Sequence, residues 1–221
     1  MKISQTTIQI LKNFTKISKD IKFKVGNKLV VELGDEEMLA TASVEEYFDH
    51  EFCIADLPQF VTLLQREKAD SIELEVDDTY AYIKTSSQLG NSVTKYRTAD
   101  EKVIHVPEKE GYDNSGAKFT FTLKREIFER IVRSASILNC SLIEFSSDGE
   151  HVYVECYGYR QESMHSEKIM IGDSDTEFKS VMNLSKLLMI PDDYEVKIRD
   201  ESMYFRCLNY PVEYWIVEHE D

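Results

Sequence analysis

Three lysines near the start of the chain have the spacing of a helix that presents positive charge. Lys12, Lys16 and Lys19 recur every three or four residues, which places them on one side of a helix predicted over Ser4–Lys19. This stretch contains no carboxylate, and the first acidic residue of the chain is Asp20. A row of ammonium groups can attract an anion such as phosphate. An ordinary solvated lysine face is the alternative interpretation.

The residue types that support catalysis or metal binding are scattered. The chain has no HExxH, GxSxG, P-loop or dinucleotide-binding glycine pattern, and its cysteines form no CxxC pair. The histidines are His50, His105, His151, His165 and His219, and the cysteines are Cys53, Cys140, Cys156 and Cys207. These spacings predict reduced thiols, no metal site, no cofactor and no enzymatic activity.

The overall charge limits the possible partners. Lys and Arg total 26 of the 221 residues while Asp and Glu total 41, which gives a net charge of −15. A field of this sign repels nucleic acid and anionic membranes, so any contact with DNA must use a segregated basic surface. No apolar run has the length of a membrane span, and the N-terminus lacks the apolar core of a signal peptide. We therefore expect a cytoplasmic protein that does not bind membranes.

The order of predicted elements repeats along the chain. Each half contains a strand, a long helix, several strands, a short helix and three strands, which predicts an α+β protein of two similar domains. We place these domains at 1–100 and 118–221, with an extended connector over 101–117. Gly26-Asn27 and Asp148-Gly149 are predicted as hairpin turns. Asn183 is predicted to cap a short helix that reaches Met189.

Charge separates the predicted helices from the rest of the chain. Four predicted helical windows together hold eleven basic and three acidic residues, so their net charge is +8, whereas that of the remaining chain is −23. The windows are Ser4–Lys19, Leu57–Lys68, Leu123–Leu138 and Lys179–Ile190. Positive helices and negative strands are what a surface around DNA would need. In the third helix, Glu126 precedes Arg130 by four residues and Glu129 precedes Arg133 by four. Intrahelical ion pairs are therefore the alternative role of these arginines.

Three segments of the chain resemble the sliding clamp of T4-like bacteriophages. They are MKISQTTIQILKNFTKI, IADLPQFVTLLQ and FKSVMNLSKLLMIPDDYEVKI. The resemblance extends over nearly the whole chain. It implies the DNA clamp fold, with two clamp-type domains per chain, helices inside and antiparallel sheets outside. It also implies a ring of three identical chains that encircles duplex DNA non-specifically and tethers the DNA polymerase, after a separate clamp loader has opened the ring. The site of action would be the host cytoplasm.

The resemblance also suggests which residues meet DNA and which meet partners. Lys12 matches a lysine of the family within LKNF, whereas Lys16 and Lys19 follow from the helical face. Basic residues of the other helices complete the predicted DNA-facing set without aligning with family positions: Lys68, Arg130, Arg133 and Lys186. The family binds partner peptides in an apolar groove near the connector and the C-terminal strand. The candidates here are Val103, Ile104, Val106, Leu208, Tyr210, Pro211 and Val212.

Closure of a ring requires two exposed strand edges. Ser92–Arg97 and Met164–Ile171 are the candidates, since pairing them would also remove aggregation-prone edges. An acidic protein that mimics DNA and inhibits nucleic-acid-binding enzymes is the alternative function. The segregated lysines disfavour it, because such a mimic has no use for a helix that faces phosphates.

Overall fold

Two units of helix and antiparallel strand make up the chain in the computed structural model, which describes residues 1–34, 36–65, 71–88, 90–113, 115–158 and 165–219. Unit 1 comprises residues 1–35 and 39–111, and unit 2 comprises residues 36–38 and 112–221. The division at Gly111 lies inside the segment that the sequence predicts as a connector.

Unit 1 holds two helices and seven strands among its described residues. The helices are α1 (Gln5–Phe14) and α2 (Leu57–Leu64). The strands are β1 (Ile21–Phe23), β2 (Gly26–Leu33), β3 (Met38–Phe48), β4 (Phe52–Ile54), β5 (Ser71–Val76), β6 (Tyr80–Ser87) and β7 (Gly90–Arg97). β1 pairs with β4, β2 lies beside β3, and β5, β6 and β7 form a three-stranded sheet in that order.

The first helix forms where its apolar residues recur on one side. Ser4 is the N-cap, and its hydroxyl accepts a hydrogen bond from the Thr7 N–H at 3.2 Å. An apolar stripe of residues at helical spacing is buried, as are Ile8 and Leu11; the stripe comprises Ile3, Ile10, Phe14, Ile17 and Ile21. The helix ends at Phe14, earlier than predicted, and the Ile17 N–H closes a turn onto the Phe14 carbonyl at 2.9 Å.

The second helix begins where its predicted window begins, with Asp56 as the N-cap. The Asp56 carboxylate accepts a hydrogen bond from the Gln59 N–H at 2.9 Å, and Pro58 occupies the first turn, where its missing donor costs little. The Leu57 N–H donates to the Lys19 carbonyl at 2.7 Å. This bond fixes the start of α2 to the segment that follows α1.

The predicted hairpin at Gly26-Asn27 is wrong. β1 pairs with β4, with Ile21 opposite Ile54, whereas β2 belongs to the sheet of β3. Gly26 has φ +123°, a conformation that favours glycine, and the chain uses it to pass from one sheet to the other.

Unit 2 holds one α-helix and eight strands among its described residues. They are α3 (Arg125–Leu138), β8 (Phe119–Leu123), β9 (Leu142–Asp148), β10 (His151–Tyr157), β11 (Glu167–Asp173), β12 (Glu177–Asn183), β13 (Tyr194–Ile198), β14 (Ser202–Cys207) and β15 (Val212–Val217). One sheet has the order β11–β10–β9–β12, and another contains β15–β14–β13–β8. The hairpin predicted at Asp148-Gly149 is confirmed between β9 and β10, with Gly149 at φ +87°.

The short helix predicted from Asn183 is only a 3-10 turn over Leu184–Lys186. Asn183 is the last residue of β12 and pairs with Leu142, so its backbone is extended and its side chain makes no capping bond. The Leu184 N–H donates to the Ser141 carbonyl at 2.8 Å. Because Asn183 and Leu184 are bonded to the neighbouring strand and its preceding residue, they do not start the predicted helix.

Each unit covers one outer edge of a sheet with its own chain. Beside β5, the Ile3 N–H donates to Ile72 at 2.9 Å; beside β12, the His219 N–H donates to Val181 at 2.8 Å. The opposite edge strands are β7 and β11, which have a strand neighbour on one side only within the described part of the chain. β7 begins two residues before the predicted edge strand Ser92–Arg97. β11 begins three residues after the start of the predicted edge strand Met164–Ile171, and Met164 lies outside the described residues.

Candidate nucleic-acid interface

A buried carboxylate on β3 anchors the N-terminus of α1. Glu46 is 7% exposed and accepts hydrogen bonds at 2.5 Å from the Ser4 N–H and from the Thr7 hydroxyl. Burial by itself would raise the pKa of Glu46, but the hydrogen bonds from Thr7 and Ser4 outweigh it and hold the pKa below the usual range. A negative charge at this end of a helix is also favoured by the helix dipole. Glu46 therefore fixes the side of α1 that faces outward.

The outward side of α1 and the turn that follows it carry the predicted lysines. Lys12, Lys16 and Lys19 are all exposed, with Gln5 and Gln9 on the same side of the helix. Among the described residues, no carboxylate forms an ion pair with any of the three lysines, and their ammonium groups make no side-chain hydrogen bond. Lys12 lies in the last turn of α1, whereas Lys16 and Lys19 follow the helix. Their positive charge is therefore not neutralised within the part of unit 1 that is described.

The second helix presents an uncharged outer side. Its exposed residues are Pro58, Gln59 and Thr62, and Gln65 follows as the C-cap. Lys68, predicted to face DNA from this helix, lies outside the described residues.

The arginines of α3 have partners different from those predicted. The Arg130 Nε donates to Glu167 Oε1 on β11 at 3.0 Å, and the Arg125 Nε donates to Glu129 Oε1 at 2.8 Å. Hydrogen bonds from Ser134 and Arg130 lower the pKa of Glu167, which keeps this pair charged. The predicted pairs of Glu126 with Arg130 and of Glu129 with Arg133 are therefore wrong. Arg133 is exposed and has no acidic partner among the described residues.

Lys186 does not belong to an outward-facing cationic surface. It is 6% exposed, because the predicted helix is replaced by a 3-10 turn that buries this side chain. A lysine buried within its own unit is not available to an external phosphate. The prediction that Lys186 faces DNA is corrected accordingly.

The residues predicted to form a partner groove differ in exposure. In unit 1, Val103 is 69% exposed, and Ile104 and Val106 are half-buried. In unit 2, Leu208 is 45% exposed, Tyr210 is half-buried and Pro211 is exposed, in the turn between β14 and β15. Val212 is 1% exposed and is a core residue, so its predicted contact with a partner is wrong.

The sequence did not predict a cavity at the opposite end of β15. This cavity of unit 2 has a volume of about 240 Å³, and its lining includes Tyr112, Arg199, Trp215 and Val217. The rings of Tyr112 and Trp215 meet edge to face with centroids 6.1 Å apart. An aromatic floor with a guanidinium at its side suits one apolar side chain of a peptide. In the sequence, the feature that could have indicated this cavity is Trp215, the sole tryptophan. Its residue type and its position in a predicted strand favour a core residue instead.

The described part of the chain holds no group of three or more His, Cys, Asp or Glu side chains placed to bind a metal ion. The four cysteines are free and buried. No helix within the described ranges has the length and hydropathy needed to cross a membrane.

Similar proteins cover nearly the whole chain. A sliding clamp of Vibrio phage KVP40 is 26% identical over 223 residues, which span 98% of each chain. The chain is thus similar along nearly its whole length to a phage sliding clamp. The sliding clamp of Escherichia phage RB69 is 22% identical over 90% of this chain and 87% of its own. That of Enterobacteria phage T4 is 22% identical over 89% and 86%. No protein-family model matches.

Solved structures agree on the fold. Proliferating cellular nuclear antigen from Entamoeba histolytica superimposes with a TM-score of 0.75 at 12% identity, over 96% of this chain and 94% of the other. The PCNA2–PCNA3 complex from Sulfolobus tokodaii gives 0.73 at 16% identity, over 97% and 96%. The α+β clamp fold predicted from the sequence is confirmed.

Proposed function

We propose that three copies of this chain close into a ring around duplex DNA and tether a DNA polymerase for processive synthesis in the host cytoplasm. Similarity to a phage sliding clamp over 98% of the chain supports this function. The observation that carries it is the outer side of α1 and of the turn after it, where three lysines lack acidic partners in the described residues of a chain with net charge −15. The role is topological and requires no catalytic group.

The chemistry of these lysines suits a ring that slides. Attraction between ammonium groups and phosphates is independent of base sequence, so it holds DNA without fixing a position along it. Lysine is a flexible point charge, whereas arginine forms planar two-pronged bonds that would anchor a phosphate. The surplus of acidic residues elsewhere repels DNA, which favours contact through the unneutralised basic side chains.

Ring closure in this proposal pairs β7 of one copy with β11 of the next. Both are open edge strands, and each carries an exposed apolar side chain: Val93 is 62% exposed and Met170 is 57% exposed. β7 also bears Lys95 and Arg97, whereas β11 begins and ends with an acid. Pairing the edges would satisfy backbone groups that are otherwise open to any chain.

The cavity of Tyr112 and Trp215 is the proposed site for peptides of the polymerase and of a clamp loader. It combines Tyr112, which lies within the predicted connector, with the C-terminal strand, the region where the resemblance places partner binding. It replaces the turn of Leu208, Tyr210 and Pro211 in this role. Val103, Ile104 and Val106 remain candidates for additional contacts.

The test reverses the charge of the α1 lysines. Lys12→Glu, Lys16→Glu and Lys19→Glu are combined in one variant, and chain mass by light scattering is compared with processive synthesis by the cognate polymerase and loader. A variant that assembles to three chain masses but loses processivity supports the clamp. Normal processivity would refute it, and an inhibitory activity that persists unchanged would instead support the DNA mimic.

A matched control separates local from total charge. It makes the same charge change at three exposed lysines outside α1, α2 and α3, namely Lys28, Lys102 and Lys118, whose acidic partners, where present, are exposed. Because surface ion pairs contribute little stability, this variant is expected to fold and to retain processivity. Equal loss in both variants would mean that net charge, not the α1 surface, governs the interaction with DNA.

A further inference from the structure

The same turn precedes a tyrosine in both units. In unit 1, the Asp77 carboxylate accepts hydrogen bonds from the N–H groups of Thr79 at 2.8 Å and Tyr80 at 2.7 Å. The hydroxyl of Tyr82, five residues after the aspartate, donates to it at 3.0 Å. The backbone bonds lower the pKa of Asp77, so the turn retains its charge at neutral pH.

Unit 2 repeats this arrangement with the same spacing. The Asp148 carboxylate accepts from the N–H groups of Glu150 at 3.0 Å and His151 at 2.8 Å, and the Tyr153 hydroxyl donates to it at 3.1 Å. The hydrogen bonds from the backbone of His151 and Glu150 lower the pKa of Asp148 to about 2. The two turns belong to the hairpins β5–β6 and β9–β10, each of which continues into an open edge strand.

On each edge strand, one lysine lies across a tyrosine of the neighbouring strand. The Lys95 Nζ on β7 is 3.6 Å from the ring centroid of Tyr80 on β6, and 5.9 Å from that of Tyr82, two residues further along. The Lys168 Nζ on β11 is 4.2 Å from the ring centroid of Tyr153 on β10. An ammonium group over an aromatic face is held there by the ring quadrupole. Both ammonium groups therefore point back into their own sheet and away from its open edge.

We propose that Tyr80 and Tyr153 retract the two edge lysines and thereby permit β7 to pair with β11 of a second copy. This inference rests on the ring closure proposed above. A lysine beside an open edge normally prevents strand addition, because pairing would confine or desolvate its charge. When the lysine is retracted, a matching strand can pair with the edge. The lysine still lies close enough to disfavour pairing with other strands.

The position of the apolar residues supports this role. Along a strand, alternate side chains share a face, so Val93 lies on the face of Lys95, and Met170 lies on the face of Lys168. With both ammonium groups retracted, the exposed Val93 and Met170 are the side chains that an incoming strand meets on that face. With the lysines released, two like charges would approach each other across the interface.

The test is a double-mutant cycle on Tyr80 and Lys95. Tyr80→Leu keeps the apolar bulk but removes the aromatic face, and Tyr80→Phe keeps the face. The trimer dissociation constant is measured by light scattering over a dilution series. Tyr80→Leu is expected to weaken each interface about two- to fivefold, the value of an exposed cation–π contact, while Tyr80→Phe is silent. In the Lys95→Met background, Tyr80→Leu should have no effect.

Each outcome decides the inference. Equal weakening by Tyr80→Leu with and without Lys95 would overturn it, because Tyr80 would then act only through packing. If Tyr80→Leu does not fold, Tyr153→Leu with Lys168→Met applies the same cycle in unit 2, with Tyr153→Phe as its control. A wild-type chain that stays monomeric at all concentrations would refute the ring itself, whereas a trimeric wild type with a silent cycle would refute only the role of the tyrosines.

Discussion

The buried carboxylate of Glu46 is expected to contribute strongly to stability. Glu46→Ala leaves the Ser4 N–H and the Thr7 hydroxyl without their acceptor, and Thr7 is only 1% exposed. Hydrogen bonds to a charged group contribute about 1.5–3 kcal/mol each. Release of a carboxylate that is costly to bury offsets part of their loss, so we expect a decrease of about 2–4 kcal/mol in the free energy of unfolding.

The same contacts make the contribution of Glu46 depend on pH. The pKa of Glu46 is lower in the folded chain than its ordinary value of 4.5. The stabilisation from ionised Glu46 is therefore fully present above 4.5 and is lost as the pH falls through the lower, folded-state pKa. Glu46→Gln keeps the volume and one acceptor but cannot titrate, so it should flatten this part of the pH profile.

The assay is urea denaturation at one fixed chain concentration, since assembly would otherwise change the apparent stability. Wild type, Glu46→Ala and Glu46→Gln are compared at neutral pH and at a series of acidic values. Glu45→Ala is the matched control, because Glu45 is the exposed neighbour on the same strand. If Glu46→Ala destabilises no more than Glu45→Ala, or if Glu46→Gln leaves the acidic limb unchanged, the account of this anchor is wrong.

Three other outcomes follow from the geometry of unit 2. Arg133→Gln should weaken retention on circular DNA more than Arg130→Gln, because Arg130 is already paired with Glu167. The slope of the logarithm of the binding constant against the logarithm of the salt concentration should decrease in magnitude by about 0.9 for each phosphate that is no longer neutralised. Tyr112→Ala should weaken binding of a polymerase peptide about tenfold by calorimetry, while Leu208→Ala should not, and the reverse order would place the groove at the turn between β14 and β15. Burial and the hydrogen bond to Asp192 raise the pKa of Cys207 to about 12, so iodoacetamide at mildly alkaline pH should label this thiol only in the unfolded chain, as read by mass spectrometry.

The parts of the fold that depend on local sequence could be predicted. The apolar stripe of α1, the Asp56 cap of α2 and the turn at Asp148-Gly149 each follow from neighbouring residues. Gly26-Asn27 could not be assigned this way, because a glycine with positive φ serves equally in a hairpin and in a passage between sheets. The pairing of Ile21 with Ile54, which lie far apart in the sequence, decides between these two roles of the glycine.

The candidate site likewise has parts that local sequence determines and parts that depend on residues distant in sequence. The lysine row on α1 is a property of one segment and was visible in the sequence. The partner of Arg130 was not, because Glu167 lies on a different element and competes successfully with the nearer Glu126. The cavity is also non-local, since Tyr112 and Trp215 are brought together only by folding.

The unequal charge of the two helices has a consequence for the motion of DNA in the proposed ring. Each chain offers α1 and the turn after it, with three unneutralised lysines, and α3, whose Arg130 is held by Glu167. The electrostatic potential around three such chains would repeat three times per revolution, not six. A duplex narrower than the ring would then have three equivalent off-axis resting positions, and rotation as it slides would carry it from one to the next.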